Sequence, residues 1–117
     1  MRDLPCPCCG FLTLEYEYGS YAICPVCDWE DDGVQLANPT SAGGANSCSL
    51  AEAQNIALAK YPSNLEIAKG YRRGVKWRPL SSIEVEAGNA RKSEKHWHTK
   101  AICAESEAYW SATSNPR

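Results

Sequence analysis

The sequence predicts an α+β chain, a small β-hairpin unit packed with two or three helices. Three observations carry this. Two Cys-x-x-Cys pairs, Cys6/Cys9 and Cys24/Cys27, stand fourteen residues apart. Between them, residues 11–18 alternate apolar and polar side chains with the period of a half-buried strand. After them, Ser49 and Glu52 form a capping box ahead of apolar residues at helical spacing. A short turn carrying two thiols brings both sulfurs to one point, and a hairpin that returns a second such turn completes a tetrahedron. Four thiolates at that spacing suit Zn²⁺, which has no d-electron geometry of its own and accepts soft sulfur. Four protein ligands leave no position for water, so the site reads as structural and the unit as a zinc ribbon.

In the first turn, Cys6 to Gly10, Pro7 fixes one φ angle and Gly10 takes the positive φ that aims backbone N–H groups at sulfur. Cys6 and Cys9 are the ligands, and Cys8 is expected to point away from the metal. Leu12, Leu14, Tyr16 and Tyr18 fall on one strand face, Thr13, Glu15 and Glu17 on the other. Tyr18-Gly19-Ser20 reads as a turn and Tyr21-Ala22-Ile23 as the returning strand that delivers Cys24. The second turn has Asp28 where a matching turn would have Gly, and Asp tolerates the left-handed region better than most residues. Trp29 is expected to pack over the ribbon. Residues 34–47 read as a loop.

The helix capped by Ser49 runs to about Lys60, with Leu50, Ala53, Ala57 and Tyr61 on one face, Ile56 beside them, and Pro62 as its stop. Leu65 to Lys69 reads as one more helical turn. Ser81 or Ser82 caps another helix, with Glu84 and Glu86 in its first turn. Residues 92–110 continue that helix or form a last one. No sequence repeat is evident.

At 117 residues the chain reads as a ribbon with its following helix over 1–61, and a basic loop and helical extension over 62–117 packing on the same core. Metal binding worth ~10–16 kcal/mol would compensate for a small core. No apolar run approaches the ~18–20 residues that cross a bilayer, and the N-terminal residues lack the apolar stretch of a secretory signal, so a cytoplasmic protein is expected. Seven cysteines, an odd number, then read as two metal-binding Cys-x-x-Cys pairs rather than a disulfide framework, with Cys8, Cys48 and Cys103 left over. The net charge of −2 hides an asymmetry: residues 1–68 carry two basic and nine acidic side chains, residues 69–117 ten basic and five acidic.

The stretches CPCCGFLTL at 6–14, YAICPVCDWEDDGVQ at 21–35 and GGANSCSLAEAQN at 43–55 resemble the bacterial cysteine-rich CPCC domain family, over roughly residues 5–60. The resemblance implies that Cys6, Cys9, Cys24 and Cys27 are metal ligands, and it names a domain rather than an activity. The chain departs from it at Gln54, where similar proteins often carry Arg.

Other features bear on function. Glu30, Asp31 and Asp32 offer an acidic contact for a basic partner, or are solvated carboxylates capping the next segment. Gly43-Gly44-Ala45-Asn46 lacks the Lys-Ser/Thr of a phosphate loop and reads as turn chemistry. Arg72, Arg73 and Trp77 lie in a basic, aromatic run that either contacts nucleic acid or complements the acidic first half with Trp77 in the core. The overall charge favours the second reading. His96 and His98, or either with Cys48 or Cys103, give no third group that would orient a nucleophile.

The function expected from this is a small zinc-binding, non-enzymatic module that binds another protein, in its concrete form an immunity- or antitoxin-type partner of a bacterial toxin. A nucleic-acid-binding zinc ribbon is the second expectation. A rubredoxin-like electron carrier, with iron in the same four-sulfur cage, is the third.

Overall fold

Antiparallel pairing of Leu4 with Leu14 and of Pro5 with Leu12 closes β1 (Leu4–Pro5) on β2 (Leu12–Leu14), with the first Cys-x-x-Cys turn between them. The second turn repeats the arrangement: Ile23 bridges Glu30 across Cys24 to Cys27. This is a computed structural model, and it describes residues 3–91 and 100–112. Each knuckle is therefore the bend of its own short hairpin. The long hairpin expected between residues 11–18 and 21–23 does not form, because the strand ends at Leu14 and Tyr16 turns the chain with φ +67°.

The two knuckles correspond residue by residue, 18 positions apart, a repeat hidden in the sequence because only the cysteines and prolines are shared. Gly10 N–H donates to Cys6 O at 2.7 Å, and Asp28 N–H to Cys24 O at 2.9 Å. Cys6 N–H donates to Phe11 O and Cys24 N–H to Trp29 O, both at 2.9 Å. Gly10 and Asp28 share the left-handed conformation, with φ +82° and +69°, as the turn chemistry predicts. Cys8 stands where the second knuckle has Val26, and both are buried.

Four α-helices and two two-stranded antiparallel sheets are formed among the described residues. α1 (Gly33–Ala37) lies inside the stretch expected to be a loop. Five residues leave too short a pattern to read, and the signal is its cap: Asp32 accepts from the N–H groups of Val34 and Gln35. α2 (Leu50–Lys60) begins at the expected capping box, with Ser49 and Glu52 exchanging both hydrogen bonds. It buries Leu50, Ala53, Gln54 and Ala57, whereas Ile56 points to solvent.

Residues 65–69 form no helical turn. β3 (Ile67–Ala68) pairs with β4 (Tyr71–Arg72) through Lys69 and Gly70, both at positive φ, the two-residue turn whose twist suits a hairpin. α3 (Ser82–Arg91) is capped by Ser81, whose hydroxyl accepts from Glu84 N–H while Glu84 accepts from Ser81 N–H. After residues 100–104 come a 3₁₀ turn (Glu105–Glu107) and α4 (Tyr109–Ala112). The expected continuation through 92–99, with His96, Trp97 and His98, lies outside the described residues.

Residues from the second half cover the first knuckle. The Trp77 ring packs on Gly10 so closely that a Cβ there would lie 2.3 Å from it, and its Nε1 donates to Pro7 O at 3.3 Å. Leu12 lies near Gly74 of this cover. Trp29 is buried as expected and shares a cavity of about 300 Å³ with Ala53 and Ala57 of α2.

Candidate metal centre

Two knuckles of the same shape, facing one another, converge four sulfurs. The Sγ atoms of Cys6, Cys9, Cys24 and Cys27 all lie within 4.8 Å of one another. Cys6 and Cys27 are 3.6 Å apart, Cys9 and Cys24 3.7 Å. A tetrahedron with metal–sulfur bonds of about 2.3 Å has edges of about 3.8 Å, so these two contacts are at the length a bound ion requires. They are far longer than the ~2.05 Å of a disulfide, and all four cysteines are free. The four are close enough to hold a metal ion, and the donor set fits one that prefers thiolate in a tetrahedral cage.

The cage is closed on three sides. Cys6, Cys9 and Cys24 are fully buried, and only Cys27 is partly exposed. Burial, first of all, pushes the Cys6 thiol well above its ordinary value. Cys27 moves the other way, because its sulfur accepts from Cys24 and then from Cys6, Cys8 and Cys9. A bound cation would hold all four sulfurs as thiolates.

Cys8 is outside the four-sulfur group but not remote from it. It lines one cavity with Cys27 and is buried. It occupies the Val26-like position of the first knuckle, and the four-sulfur group forms without it. Cys48 is half-buried and Cys103 exposed.

Two groups that tune the cage escaped the sequence reading. Thr13 Oγ1 donates to Cys24 Sγ at 3.1 Å from a fully buried position, although alternation put Thr13 on the solvent face. Val26 N–H donates to the same sulfur at 3.4 Å. Gln54, noted only as a departure, is buried and joins three segments. It donates to Pro7 O and to the Tyr109 hydroxyl, and accepts from Leu80 N–H.

The acidic cluster turns inward. Asp31 is fully buried and its Oδ2 accepts from Ser20 N–H and Oγ at 2.9 and 2.7 Å. Asp32 is buried, capping α1 and accepting from Ala45 N–H at 2.9 Å. The backbone of Glu30 is clasped by the Asn46 side chain, which accepts from its N–H and donates to its carbonyl, each at 2.8 Å. Asp31 and Asp32 therefore organise the second knuckle and present no acidic face. The Gly43–Asn46 loop is the other half of that clasp.

The basic run behaves similarly. Arg73 is buried, its guanidinium 4.2 Å from the centre of the Phe11 ring, and it donates to the carbonyls of Cys9, Tyr61, Pro62 and Leu65. Trp77 is in the core, Arg78 pairs with Glu84 at 2.7 Å, and only Arg72 of the three candidate contact residues Arg72, Arg73 and Trp77 is exposed.

Residues 4–61, which include both knuckles, α1 and α2, match the family model described as Cysteine-rich CPCC. No curated protein matches the chain. No helix among the described residues is long and apolar enough to cross a membrane.

Proposed function

Residues 4–61 belong to the cysteine-rich CPCC family, and from that premise we propose that the chain is a non-enzymatic protein-binding module whose fold is braced by one structural Zn²⁺. The observation that supports a structural ion is the closure of the cage: four side-chain sulfurs supply the whole tetrahedron, and three of them are sealed from solvent. A metal held this way has no free position at which to activate water or bind a substrate. Its contribution is to tie two hairpins, each too short to persist alone, into one unit.

Binding to another protein is supported by what the other candidate surfaces are used for. The aromatic and arginine side chains that would grip nucleic acid, Arg73 and Trp77, are consumed in covering the first knuckle. An immunity- or antitoxin-type role is the concrete form of this proposal. Its partner would meet a surface other than Asp31 and Asp32, which are buried.

Elemental analysis of untagged protein tests the first part, with one zinc per chain and a colourless sample expected. A red sample with stoichiometric iron would favour an electron carrier instead. Affinity capture with the metal-loaded chain tests the second part, and retention of nucleic acid in place of protein would overturn it.

A further inference from the structure

Tyr16 and Tyr21 are both held in the left-handed region, with φ +67° and +63°, and both side chains face solvent, at 84% and 59% exposure. A bulky residue at positive φ is a steric outlier that persists only when its surroundings enforce it. Neither tyrosine recovers that cost by filling the core. Tyr16 is the centre of a three-residue turn in which Glu17 N–H donates to Glu15 O at 2.8 Å, the rarer and more strained form of γ-turn.

The enforcement comes from the base of the loop. Tyr18, between the two, is buried: its hydroxyl donates to Pro5 O and its N–H to Cys103 O, both at 2.7 Å, and its ring meets Trp110 edge-on. Asp31 fastens the other end, accepting from Ser20 N–H, Ser20 Oγ and, through its carbonyl, Tyr21 N–H. The loop that joins the knuckles is thus anchored at Tyr18 and Ser20 and displays Tyr16, Tyr21 and the 62%-exposed Ile23.

We propose that the 15–23 loop is a preformed docking surface for an arginine-bearing, basic segment of a partner protein, with Tyr16 and Tyr21 as its anchors. The inference rests on the protein-binding reading and supplies its surface. Exposed tyrosines on a rigid base give large contact area at little entropic cost, which is why they dominate binding surfaces. The basic character of the partner follows from charge. Glu17 is exposed on the same loop, and no Lys or Arg occurs in residues 15–23. A carboxylate beside phenol rings suits guanidinium, which pairs with the first and stacks on the second.

The probes are a dodecapeptide alternating Arg and Leu and its counterpart with Glu for Arg, titrated into the metal-loaded chain and followed by amide chemical shifts. The Arg peptide should shift residues 15–23 and weaken as salt rises; the Glu peptide should not bind. Tyr16→Gly with Tyr21→Gly should weaken binding about tenfold or more, with no loss of thermal midpoint, because glycine adopts both φ values freely. A fall in midpoint would mean that the tyrosines serve the fold, and overturns the proposal. So does a wild-type chain that ignores the Arg peptide, or a double variant that binds it equally. A chain that still captures a partner protein after such a failure loses only this loop; one that captures none loses the protein-binding reading itself.

Discussion

Gln54 Nε2 donates to the carbonyl of Pro7 at 2.8 Å, so a side chain of α2 holds the backbone of the first metal knuckle. The same amide donates to the Tyr109 hydroxyl at 2.9 Å and accepts from Leu80 N–H at 2.9 Å. Arginine at this position could donate to Pro7 and Tyr109 but could not accept from Leu80. The amide thus suits residue 54 to the segments after residue 61 that pack on it. Gln54→Leu keeps the volume and strands the half-buried Leu80 N–H. We expect a loss of about 1–3 kcal/mol, the cost of a group left unpaired. Urea unfolding at equal metal loading measures it, and Gln54→Arg should recover only part.

Arg73 should tolerate lysine poorly. Its fork reaches four carbonyls, from Cys9, Tyr61, Pro62 and Leu65, and its plane lies over Phe11. Burial lowers the guanidinium pKa, yet arginine remains charged. An ammonium has three donors in a compact head and no plane to stack. Arg73→Lys should cost about 2–4 kcal/mol by loss of charged hydrogen bonds. A thermal midpoint equal to wild type would show that the carbonyl cage is satisfied without the fork.

Glu84 gives the second half a pH dependence. Hydrogen bonds from Arg78, and then from Ser81, hold its carboxyl below the usual range. A carboxylate with a depressed folded pKa contributes stability that is present above the unfolded value of about 4.3 and is lost as pH falls through the folded value. Glu84→Gln should therefore destabilise the chain by about 1 kcal/mol near neutral pH. The difference from wild type should vanish in acid, below both values. Urea midpoints across that range, at fixed metal occupancy, would expose a constant gap if the side chain acted by packing alone.

What could be read from the sequence was whatever depends on local chemistry. The knuckles, the left-handed Asp28, the capping boxes at Ser49 and Ser81, and the four sulfurs follow from residues a few positions apart. What could not be read depends on which strand pairs with which. Alternation over 11–18 is compatible with a long hairpin, but Tyr16 bends the chain and β2 finds β1 instead. That exchange of partner sends Thr13 inward and takes Tyr16 out of the core. The charge asymmetry suggested surfaces, yet Asp31 Oδ2, Asp32 and Arg73 hold backbone and side-chain groups of the chain itself, which composition cannot show.

Thr13 supplies the test that bears most directly on the metal centre. Its hydroxyl donates to Cys24 Sγ at 3.1 Å from a site with no exposure to speak of. A donor to a thiolate stabilises the charged form, so it lowers the pH at which protons can displace a metal from that sulfur. Thr13→Val keeps the shape and removes the hydrogen bond. Metal affinity should then fall about 10-fold or more, in line with the loss of other groups that support a ligand. The acid midpoint of metal release should move upward, because Cys24 would take a proton more readily. Thr13→Ser should restore both. Competition with a chromophoric chelator measures the affinity, and acid titration with the same dye reads the midpoint. A valine variant that releases metal at the wild-type pH would mean that the hydroxyl only fills space behind the second knuckle.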